Sequence, residues 1–245
     1  MLTVSQLATA FALFDALIVA ILAGLLWRSF RGGSRLVALA LLMVWVVYTA
    51  AFSWLGLMRD PSVRPPGPAL LVGPVATMIL LITLLPSGRK LAAALPVSVL
   101  IGLQLFRIGP ELTIAALHHL GLAPTLLTLQ GGNIEILVAL SAPFFAWVAT
   151  RGAAGWRVAL GWNVIGLLSL ANVAVRSVLT APGPLNLVHT EVPNLAFGNF
   201  PFGLIPGFMA PLALALHVLA LRAPRPTTRD LVKEVESPTG GRLYS

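Results

Sequence analysis

The chain has 245 residues, 58% hydrophobic and only 10% charged, with a mean hydropathy of +0.91. A soluble domain carries about 25% charged residues, and so much apolar surface cannot be hidden in one water-soluble core of this size, so the sequence reads as an integral membrane protein. The absence of cysteine excludes disulfides, thiolate metal sites, iron–sulfur clusters and c-type haem attachment, while the net charge of +8 is explained below without nucleic acid.

A helix needs about 20 apolar residues to cross the hydrocarbon core. Seven segments are expected to span: roughly 7–27, 36–57, 69–86, 91–117, 134–150, 158–180 and 202–221. The first lacks a basic n-region and is longer than a signal-peptide core, so it reads as a retained span. The connections are RSFRGGSR, MRDPSVRPPGP, PSGRK, QGGN, TRGAAGWR and a long stretch ending NFP. Residues 121–132 are apolar but broken by Pro and Gly, which suits a re-entrant or interfacial loop. Together these predict an all-α, seven-transmembrane-helix bundle as one domain over 1–222, with a polar tail over 223–245.

Lys and Arg give the orientation. Twelve fall in the connections after spans one, three and five and in the tail, against Arg59 and Arg64 on the other side. This predicts an N-terminus outside and a C-terminus in the cytoplasm. The basic excess is then a topology signal, and nucleic acid is not expected as a partner; the lipid bilayer is.

Ionisable residues inside spans are costly and point to function by default. In span four, at about 100° per residue, Gln104, Arg107, Glu111 and His118 share a stripe about 60° wide. Such a stripe is expected to face the bundle interior, with Arg107 and Glu111 neutralising each other as an i,i+4 pair and Pro110 kinking the helix between them. Asn172 and Arg176 share a face of span six, Asn133 and Glu135 open span five, and the loop before span seven carries His189 and Glu191. These ten residues are expected to line a polar pocket open to the outer face, with Asp15 of span one as a possible neighbour. Asn163 reads as packing glue, and Ser141 and Ser169 as bonding their own helix backbone. His217 reads as a buried or interfacial residue near the inner end of span seven, distant from the others.

No His-x-x-x-His or His-Glu-x-x-His spacing is present, so no cofactor or metal is expected; zinc on a set such as His118, His189 and Glu111 or Glu191 is the one metal option the residues offer. Retinal is excluded because Lys90 and Lys233 are the only lysines and neither lies in span seven.

The segments QLFRIGPEL (Gln104 to Leu112), GLAPTLLTLQGGNIEILVALSAP (Gly121 to Pro143), WNVIGLLSLANV, SVLTAPGPLNL and FPFGLIPGFMAPLALALHVLAL resemble a group of small bacterial multi-pass membrane proteins of uncharacterised function. The likeness covers about residues 95–222. It implies the bacterial cytoplasmic (inner) membrane and brings no activity, site or substrate. The functional expectation is a protein that binds or transports a small polar or lipid-linked ligand. A membrane-embedded, metal-assisted enzyme acting on a lipid and a structural or accessory subunit are the alternatives.

Overall fold

The computed structural model describes residues 2–60, 62–183 and 185–224; the expected polar tail lies outside the described residues from 225 onward. Among the described residues the chain is all-helical. The helices are α1 (Val4–Ser29), α2 (Gly32–Trp54), α3 (Gly67–Leu84), α4 (Pro86–Ala93), α5 (Val97–Gly102), α6 (Ile108–His119), α7 (Glu135–Val148), α8 (Gly152–Thr180) and α9 (Ala210–Arg222). A 3-10 segment, Leu103–Arg107, fuses α5 to α6, and a π-turn, Ile205–Met209, leads into α9.

Among the described residues, six helical stretches are long and apolar enough to cross a membrane: α1, α2, α3, Val97–His119, α8 and Ile205–Arg222. The fifth expected span, 134–150, is helical but short, with 14 residues in α7, or about 21 Å at 1.5 Å per residue. The fourth expected span begins at Val97 rather than at 91. Residues 91–93 belong to α4, and Pro96, which disfavours helix at the residue before it, starts the next helix. In the other direction, α8 starts at Gly152, within a segment expected to be a connection.

Local chemistry sets several ends. Thr3 and Gln6 form a capping box on α1: Gln6 N donates to Thr3 Oγ1 at 3.2 Å and Thr3 N to Gln6 Oε1 at 3.0 Å. α6 stops in a Schellman motif, with Leu122 N on Leu117 O at 2.8 Å and Gly121 N on His118 O at 2.9 Å. Gly121 sits at φ +70°, where a β-carbon is strained.

The bundle has a centre and a flank. Of the apolar window in Ile205–Arg222, 61% is buried, against 17% for α1 and α2 and 11% for α3. The last helix packs on α3, α4, α5 and α8, and α7 packs between the α5 region and α8. α1 closes one side against α2 and α6, and Phe11 stacks on Phe202 at 6.2 Å.

Proline shapes this packing. Pro74 sits inside α3 and cannot supply the N–H that Leu70 O would accept in an unbroken helix. The hydroxyl of Tyr48 on α2 donates to that carbonyl at 2.8 Å. Pro211 likewise leaves Gly207 O without its i+4 donor, and Trp45 Nε1, three residues before Tyr48, donates to it at 3.0 Å. α2 thus restores two hydrogen bonds that prolines remove, the requirement for broken helices out of water.

Candidate functional site

The site is built on the 3-10 segment. Pro110 follows it, with no N–H for the Phe106 carbonyl and a ring that crowds it, and the preceding turn is tightened. At about three residues per turn, Gln104 and Arg107 point the same way, towards the last helix. Gln104 Nε2 donates to Ala213 O at 3.0 Å and Arg107 Nη1 to His217 Nε2 at 3.1 Å. All three side chains are buried.

His217 is fixed from its other side. Its Nδ1 bonds Asn163 Oδ1 at 2.7 Å, and Asn163 Nδ2 donates to the His217 carbonyl at 2.9 Å. The amide therefore presents its oxygen to Nδ1, so Nδ1 carries the proton and Nε2 accepts from Arg107: a neutral imidazole. The ring lies against α8 where Gly166 leaves room, since a β-carbon there would come within 2.5 Å of His217 Cε1. Trp162 covers it at 5.9 Å between ring centroids and is itself tied by Nε1 to Ser141 Oγ at 2.9 Å.

Arg107 forms an ion pair with Glu135, the first residue of α7. The contact partner of Arg107 is thus Glu135, while Glu111, the expected partner, attracts it electrostatically without a contact pair. Glu111 instead accepts from Asn133 Nδ2 at 2.9 Å, and Asn133 also donates to Leu127 O at 2.9 Å and accepts from Glu135 N at 3.1 Å. A buried ion pair persists only where further hydrogen bonds offset desolvation. Here His217 provides one for Arg107, while Asn133 fixes the backbone N–H of Glu135 and so the start of α7. His217 is the residue sequence reasoning placed apart; it sits at the depth of Arg107. The signal available was the Asn163–Gly166 step on α8, a polar group beside a gap.

A cavity of about 160 Å³ abuts this cluster. Its walls are mainly apolar, including Phe106, Ile114, Leu127, Leu170, Met209 and Ala213, and one end carries Arg107, Glu111 and Glu135. Val72 on α3 and Ala174 on α8 line it while exposed on the bundle's outside, so it opens between those helices on the flank. A smaller cavity of about 60 Å³ adjoins it, sharing Val72, Ser177, Val178, Phe197 and Pro206 and reaching Arg59 and Asn194. Three of the ten sequence-derived residues thus line the main cavity, and its walls are apolar rather than polar.

The others hold the chain itself. His118 Nδ1 donates to Ala123 O at 3.0 Å. Arg176 donates to Gly131 O, to Leu126 O at 3.4 Å and, through Nε, to Asn172 Oδ1 at 3.0 Å. Glu191 accepts from Thr125 N and Oγ1, both at 2.6 Å, and these bonds, the hydroxyl's first, hold its carboxyl below the usual range. With Asn133, these groups bind the loop 121–133 from three sides. His189 is exposed, as is Asn172. Asn163 joins α8 to the last helix as expected and Ser141 bonds Val138 O at 3.0 Å, but the buried Ser169 hydroxyl makes no hydrogen bond among the described residues. Asp15 is buried, with both carboxyl oxygens unpartnered among the described residues, and does not line the cavity. Among the described residues no group of three or more His, Asp and Glu could hold a metal ion.

Residues 66–223, well over half of the chain and all of α3 to α9, match the family described as a domain of unknown function, DUF8737. The chain belongs to the DUF8737 family. The DUF8737 region contains the whole Arg107–His217–Glu135 cluster and its cavity; α1 and α2, with Asp15, Trp45 and Tyr48, precede it. No curated protein and no solved structure matches the chain.

Proposed function

We propose that the chain is a multi-pass membrane protein that binds an amphipathic ligand in the cavity between α3, α6, α8 and the last helix. The observation that carries this reading is the cavity's division: a mainly apolar interior ending on Arg107, Glu111 and Glu135. An apolar pocket with a few convergent polar groups is the usual form of a small-molecule site. Its opening on the flank, between Val72 and Ala174, suits a ligand that arrives from the bilayer.

The membrane arrangement proposed is seven spans, N-terminus outside and C-terminus cytoplasmic, in a bacterial cytoplasmic membrane. Six long apolar helices and the twelve-to-two basic asymmetry support it. α7 reaches only part of the roughly 30 Å core, and the loop before it makes up the remainder. Irregular backbone is tolerated at membrane depth only where protein satisfies it, and the bonds from His118, Asn133 and Arg176 do so. Gln104, His118, Asn133, Asn172, Arg176 and Glu191 are then structural groups, and Arg107, Glu111 and Glu135 face the ligand.

The test is Ala174→Phe, which places a ring in the mouth. Native mass spectrometry of the parent should find a co-purifying amphipathic molecule that Ala174→Phe loses, at an unchanged melting temperature. Equal occupancy in both proteins, or none in the parent, rejects the cavity as the site.

A further inference from the structure

We infer that the cavity selects a cationic amphiphile: a single-chain amine whose ammonium group meets Glu111 and Glu135 while its apolar chain fills the cavity. The inference rests on the reading of this cavity as a ligand site and adds the chemistry of the ligand's head.

The charged end of the cavity holds two carboxyl groups and one guanidinium. That guanidinium is engaged by His217 Nε2 through Nη1 and by the Glu135 ion pair through Nη2, although Nη2 makes no hydrogen bond among the described residues. The nearby amide donor is engaged as well, because Asn133 Nδ2 is shared between Glu111 and Leu127 O. The acceptors are not all used. Glu135 is 2% exposed and its Oε1 has no hydrogen-bond partner among the described residues, although the residue lines the cavity. Glu111 takes one hydrogen bond, from Asn133. His217 is neutral by its bonding pattern and adds no charge.

The cavity end therefore offers unused acceptors and an excess of one formal negative charge. A carboxylate is acceptor-only and an ammonium donor-only. A charge-assisted bond between them is roughly twice as strong as a neutral one, and more so away from water. A ligand with an anionic head would face Glu111 and Glu135 directly. A ligand with a neutral hydroxyl would satisfy one oxygen and leave the charge unbalanced. An ammonium satisfies both requirements. The apolar walls formed by Phe106, Ile114, Leu170 and Met209 take the chain, and the opening between α3 and α8 lets it arrive tail-first or side-on from lipid.

The experiment is equilibrium binding of radiolabelled octylamine, octanol and octanoate to the full chain in a neutral maltoside detergent. Ala174→Phe serves as the blank for partition into micelles. The expected result is saturable octylamine binding, about tenfold or more tighter than that of octanol or octanoate. Glu111→Gln keeps an oxygen for Asn133 and should weaken octylamine by about tenfold, narrowing its preference over octanol; Ala174→Phe should abolish saturable binding. Equal binding of octylamine and octanol, both lost in Ala174→Phe, overturns the amine and leaves the cavity reading standing. Tighter octanoate also overturns it and makes Arg107 the recognition group. No saturable binding of any of the three overturns the cavity reading itself.

Discussion

Arg107 and His217, 110 positions apart, share a hydrogen bond of 3.1 Å in the buried centre of the bundle. The bond joins the 3-10 segment to α9 and makes a neutral imidazole the acceptor for a buried guanidinium. Asn163 holds the imidazole in the tautomer this needs, and Glu135 supplies the countercharge. The four residues come from four different helical segments, so the network sets how those segments dock.

Its energetics give the first prediction. Removing one member of a buried ion pair costs about 3–5 kcal/mol, whereas replacing both with apolar groups of similar size is often near neutral. Arg107→Met and Glu135→Leu should each lower the melting temperature clearly, and the double variant should recover most of the loss. His217→Leu leaves Asn163 Oδ1 and Arg107 Nη1 unpaired and should cost about 1–3 kcal/mol for each group stranded. Detergent-solubilised thermal melts of the four proteins check this. Additive single losses in the double variant would mean that Arg107 and Glu135 do not act as a pair.

The second prediction concerns the proline-freed carbonyls. Tyr48→Phe deletes the donor to Leu70 O and should cost about 1 kcal/mol, the typical net worth of one hydrogen bond. Pro74→Ala returns the helix's own N–H to that carbonyl. In the Pro74→Ala background, Tyr48→Phe should therefore cost little. The same cycle with Trp45→Phe and Pro211→Ala tests Gly207 O, although losing the indole also loses its edge contact with Phe208 at 5.3 Å. A Tyr48→Phe cost that is the same in both backgrounds would assign the hydroxyl another role.

Run length and composition made the long helices legible, because nothing but a membrane or a very large core accommodates six such stretches. They could not reveal that one helix ends at Ala93 and another starts at Val97, since that depends on where the chain must turn to bring α4 against α9. The Gln104–Arg107 stripe was legible from periodicity. Its partners were not: an i,i+4 acid was available to Arg107, and only the docking of α7 brings Glu135 nearer. His217 stood alone in an apolar helix, and its meaning lies in Asn163 and Gly166 on another helix. The polar residues around loop 121–133 were legible as a group, but sequence cannot tell a side chain that faces a cavity from one that closes a neighbouring loop.

The third prediction uses that loop. Glu191 is exposed and its carboxylate accepts both Thr125 bonds, which hold its pKa below the ordinary glutamate range. As pH falls, the unfolded chain takes up this proton before the folded one does. The stabilisation is therefore complete above the ordinary glutamate range and disappears as pH drops through the lower folded value. The melting-temperature difference between the parent and Glu191→Gln should favour the parent at neutral pH and shrink to nothing in acid. Exposure to solvent keeps the effect small and salt-sensitive. A difference that grows on acidification would give the tie the wrong sign.

Asp15 supplies the fourth prediction. It lies on the inward face of α1 between Phe11 and Ile18, is 4% exposed, and both its carboxyl oxygens lack a hydrogen-bond partner among the described residues. A buried polar group without a partner costs about 1–3 kcal/mol relative to an apolar one that fills the same space. Leucine is close to aspartate in reach and has good helix propensity. Asp15→Leu should therefore raise the melting temperature, while Asp15→Asn, which keeps an unpartnered polar group, should gain little. Ile18→Asp, which adds a second such group one turn away, should lower it. These three variants separate burial from any general change in α1, because all lie on one face of one helix. A lower melting temperature for Asp15→Leu than for the parent would mean that the carboxyl is bonded in the folded protein, and that α1 is held by a polar contact rather than by Phe11 and its apolar neighbours.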